Sequence, residues 1–465
     1  MKNIFRYQIL TGILFLVAYN FVGCKKFVEV PPPDNQLVSE NAFSDDRTAD
    51  ATMAGLYSIM NAYNYQFGNV LSSFMPAFGA DEFYYAFSNT NFDEFKNDAL
   101  TADNSYVNTF WESSYSFIYH TNAVIEGIEE SKSLSEATRK QLTGEAKFVR
   151  AFCYFYMVNR FGDVPLILNT DYKVNTTMAR TDKAKVWEAI LNDLKDAQQL
   201  LSPDYISSER IRPNRAAATT LLARSYLYLK KWSEAETEAT KVINDPKYHL
   251  LSDLNSVFLK NSEEAIWQLQ SVNKSTAGVN TWEGFNIVPP SPTGRAYYNL
   301  YDSLVTAFEP GDARKANWTK TYVTGGKTYY FPYKYKIRTA SPVQEYSMVI
   351  RFAELYLIRA EARAQQENLD GAKEDLDMIR DRADLNALPD NLDQDQMLAA
   401  VAQERRVELF GEWGHRWFDL IRTGKAIQVL SVLKPEIKEQ DLLYPIPRPA
   451  RRTNPALTQN DGYIQ

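Results

Sequence analysis

The chain has 465 residues, with 51 Lys and Arg against 58 Asp and Glu, a formal charge of −7. Phosphate backbones are held by clustered basic side chains, so this balance argues against a nucleic-acid partner. Hydrophobic residues at 45% and charged residues at 23% are ordinary for a folded globular chain, and this length buries a large core.

The chain opens with Lys2 and Arg6, then an apolar run "ILTGILFLVAYNFV" over residues 9–22. That run is shorter than the ~18 residues a membrane span needs, so it reads as a secretory signal over residues 1–23. It ends in Gly23–Cys24, which resembles the lipobox of bacterial lipoproteins, in which the cysteine is acylated and becomes the mature first residue. Cys24 is the expected lipidation site. The other cysteine, Cys153, lies in "AFCYFYM" and is expected to be a buried, inert thiol with no disulfide partner. Residues 24–45, with "KKFVEVPPPDNQ", form an expected extended tether.

From residue 46 to 246 the apolar spacing is helical. Met53, Leu56, Ile59 and Met60, then Phe110, Phe117, Val124 and Ile128, recur near three- and four-residue intervals. A long helix is predicted from a Ser135 cap to Gly162, with Pro165 beyond. Residues 214–246 hold two helices with a turn at Lys231 and Trp232, the plan of a tetratricopeptide unit of ~34 residues. Residues 351–383 repeat that plan, with a turn at 368–371. Such pairs bury their apolar faces only by stacking. Between them, residues 247–345 are loop-rich and aromatic-rich, with short strands predicted in "EAIWQLQSV" and "KTYYFPYKYKIRT". Residues 346–465 form the C-terminal region. The fold class is all-α, a helical-repeat scaffold with an inserted loop-rich subdomain containing a few short strands.

Catalytic signatures are missing. There is no G-x-S-x-G, H-E-x-x-H, G-x-G-x-x-G or Walker loop. The three histidines, His120, His249 and His415, are far apart in sequence, so neither a metal nor another cofactor is expected. The pairs Asp81–Glu82 and Asp93–Glu94 are the only carboxylates considered for a glycosidase, which needs two carboxyls ~5–9 Å apart across one bond.

Four segments together resemble the SusD/RagB outer-membrane lipoproteins: "GEAKFVRAFCYFYMVNRFGDVPL" (144–166), "IRFAELYLIRAEA" (350–362), "ERRVELFGEWGHRWFDLIRTGK" (404–425) and "LLYPIPRPARRTNPALTQNDGY" (442–463). Two details differ from the family pattern: Arg448 to Arg452 put basic residues where an acidic one is usual after "YPIP", and the ending reads "QNDGY" for "QNPGY". The resemblance implies a surface-exposed lipoprotein, not an enzyme. It would capture glycans and pass them to a TonB-dependent SusC-like transporter. Peptides or another nutrient are the alternative cargo, and a glycoside hydrolase is the reading from another class. The 404–425 run, dense in Glu, Arg, His and Trp, then reads as a packed corner: Glu404 and Glu408 paired with Arg405, Arg406 or Arg416, and Trp417, Leu420 and Ile421 facing inward.

Sugars present flat C–H faces and hydroxyl edges, so capture needs exposed rings and a few polar side chains, on loops more than on helices. The ligand-binding candidates are Asp81, Tyr84 and Tyr85 in "GADEFYYAF", with Trp282, Arg295, Tyr297, Tyr298 and Trp318 in the inserted part. The alternative for each ring is a core plug beneath a loop.

Overall fold

A computed structural model describes residues 42–272, 276–291 and 294–464. The first half is a row of helices: α1 (Asp46–Met60), α2 (Val70–Gly79), α3 (Thr90–Lys96), α4 (Ser105–Glu130), α5 (Glu136–Phe161), α6 (Lys183–Leu200), α7 (Arg215–Tyr228) and α8 (Trp232–Ile243). Ser135 caps α5 by accepting from the Thr138 N–H at 3.2 Å, and Gly162, at φ +70°, ends it as its sequence predicts. The same helix buries Cys153, and burial pushes that thiol's pKa well up.

The second half carries α9 (Ala353–Gln365), α10 (Leu369–Arg382), α11 (Gln394–Glu408) and α12 (His415–Arg422). The predicted pairs are α7–α8 and α9–α10, and they stack: α8 lies against α9. Alanines let the backbones approach. Ala235 and Ala239 on α8, with Ala360, Ala364 and Ala372 on the second pair, are all fully buried.

Among the described residues there are also several short helices and six short strands: β1 (Phe83–Tyr85), β2 (Ala265–Leu269), β3 (Tyr298–Leu300), β4 (Thr319–Thr324), β5 (Lys327–Pro332) and β6 (Ser347–Arg351). They form three antiparallel pairs, β1–β3, β2–β6 and β4–β5. The strands of the middle segment are therefore knitted into the helical body, since β3 pairs back to β1 and β2 pairs forward to β6.

The 404–425 run is a buried corner. Gly411 and Gly414 take φ values of +69° and +73°, and a Cβ on Gly414 would lie 2.8 Å from the Pro76 side chain. Trp417 and Leu420 are buried and Ile421 is half-buried. The carboxylates are paired, but not with the arginines expected. Glu404 accepts from Arg314 (2.9 Å) and Arg380 (2.7 Å), and Glu408 from Arg382 (2.5 Å), Arg351 (2.6 Å) and Arg314 (3.1 Å). Glu412 takes Arg351 at 2.7 Å and Lys334 at 2.5 Å. Each residue advances about 100° around a helix, so Arg405 and Arg406 point away from the face that holds Glu404 and Glu408. Arg405 pairs with Asp419 (2.7 Å), while Arg406 and Arg416 reach Asp81. The closing motif is also structural: Gln459 exchanges hydrogen bonds with the Ile446 backbone (2.7 and 2.9 Å), and Asn460 donates to the carbonyls of Phe161 and Tyr444.

Candidate ligand-binding site

The β1–β3 ladder brings two of the predicted stretches together. Its register pairs Phe83 with Leu300, Tyr84 with Asn299 and Tyr85 with Tyr298, and the Ala86 N–H continues it to the Tyr297 carbonyl at 2.7 Å. Side chains alternate across a strand, so Tyr84 and Asn299 share one face while Tyr85 and Tyr298 share the other. Tyr298 is buried, its hydroxyl 2.6 Å from that of Tyr65, and it forms the floor beneath Tyr85 (ring centroids 5.4 Å). Above this floor Tyr85, Phe87 and Tyr297 pack edge to face, with Phe87 44% and Tyr297 38% exposed.

The other face meets the β4–β5 hairpin. Its register puts Lys320, Tyr322 and Thr324 on one side with Phe331, Tyr329 and Lys327 opposite them. Tyr322 and Tyr329 stack at 5.5 Å and 17°, and the Tyr322 hydroxyl donates to Asn299 Oδ1 at 3.0 Å. Tyr84 lies 4.9 Å from Tyr301, and partial burial raises its hydroxyl pKa. Arg295 donates to the Thr324 hydroxyl, tying its loop to this hairpin face. Tyr84, Tyr301, Tyr322 and Tyr329 thus make a half-exposed aromatic platform on one face of two strand pairs, and Tyr85, Phe87 and Tyr297 form a second cluster at its edge on the opposite face of β1. Sequence reasoning missed Tyr322, Tyr329 and Phe87. The Gly325–Gly326 turn between "TYVT" and "KTYY" is the signal that marks the hairpin.

Four predicted residues do not belong to this surface: Tyr298 is its buried floor, and three others lie away from it. Trp282 and Trp318 are buried, and their indole N–H groups donate to the carbonyls of Asn61 (3.1 Å) and Leu254 (2.9 Å). They are core plugs, so neither offers a ring face to a ligand. Asp81 is buried too, its two oxygens taken by Arg416 (2.7 and 3.0 Å) and Arg406 (2.6 Å). Burial alone would raise that carboxyl, but the two guanidiniums hold it below the usual range. Its neighbour Glu82 is pushed up to about 8 by burial, with the Asp81 charge adding to the shift. Asp93 and Glu94 accept from the N–H groups of Asn89 (3.2 Å) and Thr101 (3.0 Å). These are clamps and caps. Among the described residues no group of His, Cys, Asp and Glu is placed to hold a metal ion, and no helix is long and apolar enough to cross a membrane.

A concavity of about 700 Å³ lies away from these rings, where the α7–α8 turn meets α9, α11 and α12. Much of its charged lining pairs internally, Arg405 with Asp419 (2.7 Å) and Arg422 with Glu361 (2.7 Å). It presents closed ion pairs where the platform presents ring faces.

Stacked helical pairs carrying strand-borne aromatic rings define a helical-repeat protein with short strand pairs set into its body. The chain belongs to the SusD/RagB family: residues 301–463 match the SusD family model, and residues 26–227 match a related one described as starch-binding, associating with the outer membrane. It is 25% identical to SusD-like protein P25 of Formosa agariphila across 97% of both chains. A SusD-like protein of Bacteroides ovatus is 24% identical over 88% of this chain and 81% of its own. Among solved structures, a SusD homolog from Bacteroides thetaiotaomicron superposes with a TM-score of 0.80 at 21% identity, covering 91% of this chain and 98% of that one. A laminarin-binding SusD-like protein superposes with a TM-score of 0.78 at 25% identity, covering 90% of this chain and all of that one. The expected signal segment, the expected lipidation site Cys24 and most of the expected tether lie outside the described residues.

Proposed function

We propose that this protein captures oligosaccharide at the outer membrane and delivers it to a TonB-dependent SusC-like transporter, binding its cargo without chemical change. The observation that carries this reading is the platform, in which Tyr84, Tyr322 and Tyr329 offer half-exposed rings held by strand pairing. Aromatic surface left partly open is costly unless a ligand covers it. Tyr85, Tyr297 and Arg295 sit at its edge as further contacts. Glycan is favoured as cargo because a structural relative binds laminarin and a matching family model is described as starch-binding. The signal-like run ending at Cys24 supports a lipid anchor, and stacked repeats supply an extended face for a transporter.

Calorimetric titration against a panel of polysaccharides and peptides tests the reading. Tyr84→Ala and Tyr329→Ala are each expected to weaken glycan binding by ~1–3 kcal/mol, on the scale of interface hot spots, with Tm barely changed. Binding of peptide alone, or accumulation of cleaved glycan, would overturn it. Cys24→Ala is expected to move the protein out of the detergent phase, and mild solubilisation is expected to recover it with a transporter.

A further inference from the structure

We infer that the glycan this platform takes is anionic, a polysaccharide bearing carboxylates or sulfate esters. This rests on the platform being the glycan site. Its polar side chains are mostly cations lying over or beside the rings. Lys96 Nζ is 5.3 Å from the centre of the Tyr84 ring and Lys327 5.1 Å from Tyr329, while Lys320 is 4.7 Å from Tyr333, a ring that joins Tyr322 through Phe331 (6.0 and 6.3 Å). Lys320 and Lys327 are exposed and project from the hairpin face that carries Tyr322 and Tyr329, and Arg295 joins them through Thr324.

None of these four cations makes a salt bridge with a described carboxylate. Buried cations elsewhere are held differently: Arg314, Arg351, Arg382 and Lys334 are all in ion pairs. The local sequence shows the same imbalance. Residues 291–340 contain eight Lys and Arg, six of them once the ion-paired Arg314 and Lys334 are set aside, against three Asp and Glu, within a chain whose net charge is −7. Two of those three acids are spent, Asp312 on Arg314 and Glu309 on Arg380, which leaves the exposed Asp302. A site for neutral sugar needs free ring faces and acceptors for hydroxyl groups. Here ammonium groups partly occupy the ring faces, and one acceptor among the rings, Asn299, already takes the Tyr322 hydroxyl. Lysines poised over tyrosines gain little from the rings alone at exposed positions. A ligand carboxylate or sulfate would give them charge-assisted hydrogen bonds while its sugar ring lies against the tyrosines. On an acidic protein, such a patch also draws a polyanion toward these rings.

The test is affinity electrophoresis and calorimetry of the full-length protein with polygalacturonate, κ-carrageenan and laminarin. The first is a polyuronate, the second a sulfated galactan and the third a neutral glucan. At least one polyanion is expected to bind more tightly than laminarin and to lose affinity as salt rises. Which polyanion binds separates carboxylate from sulfate recognition. The double variant Lys320→Gln, Lys327→Gln keeps the side-chain stems and should weaken polyanion binding about tenfold or more, the scale of a lost hydrogen bond to a charged group, with Tm unchanged. If laminarin binds as well as either polyanion, is sensitive to Tyr84→Ala and ignores the lysine changes, the anionic assignment fails while glycan capture stands. If none of the three binds, both fail.

Discussion

Glu408→Gln is the sharpest perturbation of the ionic corner. The carboxylate is fully buried and accepts from three arginines, at 2.5 Å (Arg382), 2.6 Å (Arg351) and 3.1 Å (Arg314). Burial alone would raise its pKa, but the three guanidiniums pull it well below the usual carboxylate range. Glutamine keeps the shape and removes the charge, so three desolvated cations must share the remaining acids. Breaking a buried pair of this kind costs ~3–5 kcal/mol. An unfolding entropy of ~2 cal/mol/K per residue gives roughly 0.9 kcal/mol/K for a body of about 420 residues, so Tm should fall by about 3–6 °C. Differential scanning calorimetry reads that shift directly, and titration of the folded variant should show unchanged glycan affinity. A variant with wild-type Tm that no longer binds glycan would refute the architectural reading of residues 404–425.

Other expectations follow from burial. Trp282→Ala and Trp318→Ala should each cost ~3–5 kcal/mol in denaturant unfolding, with affinity retained by the folded fraction. His415 is buried among Arg224 and Arg405 and stays neutral, because desolvation and those charges hold its pKa well below the ordinary value. His415→Ala should therefore leave the pH dependence of binding unchanged between pH 5 and 8. Burial raises Glu82 from 4.5 to about 8 and Glu283 from 4.5 to about 7. Their stabilising effect is complete below pH 4.5 and drains away as pH rises through those values. Glu82→Gln should flatten that part of a Tm–pH curve, and an unchanged slope would show that Glu82 is not the group responsible.

The helical scaffold was legible because its causes are local. The Ser135 cap, alanine-rich contact faces and the Gly162 terminator lie within a few residues of what they determine. The corner was legible as architecture but not in its pairing, since Arg314, Arg351 and Arg382 come from segments with no local tie to Glu408. The site was half legible. Tyr84 and Tyr297 stand out as loop aromatics, and the structure leaves both partly open. Trp282 and Trp318 looked the same in sequence, but the carbonyls that bury their N–H groups lie 221 and 64 residues away.

The pairing of β1 with β3 also bears on when the platform can exist. Tyr65 and Tyr298, whose hydroxyls meet beneath it, are 233 residues apart in sequence. Contacts that distant form slowly, because the whole intervening loop must close before they contribute. During synthesis the first half of the platform waits, unpaired, for more than two hundred residues to follow. A fragment that ends before residue 298 therefore carries the repeats of its own half but no assembled platform. The aromatic face is acquired late, as a property of the completed chain.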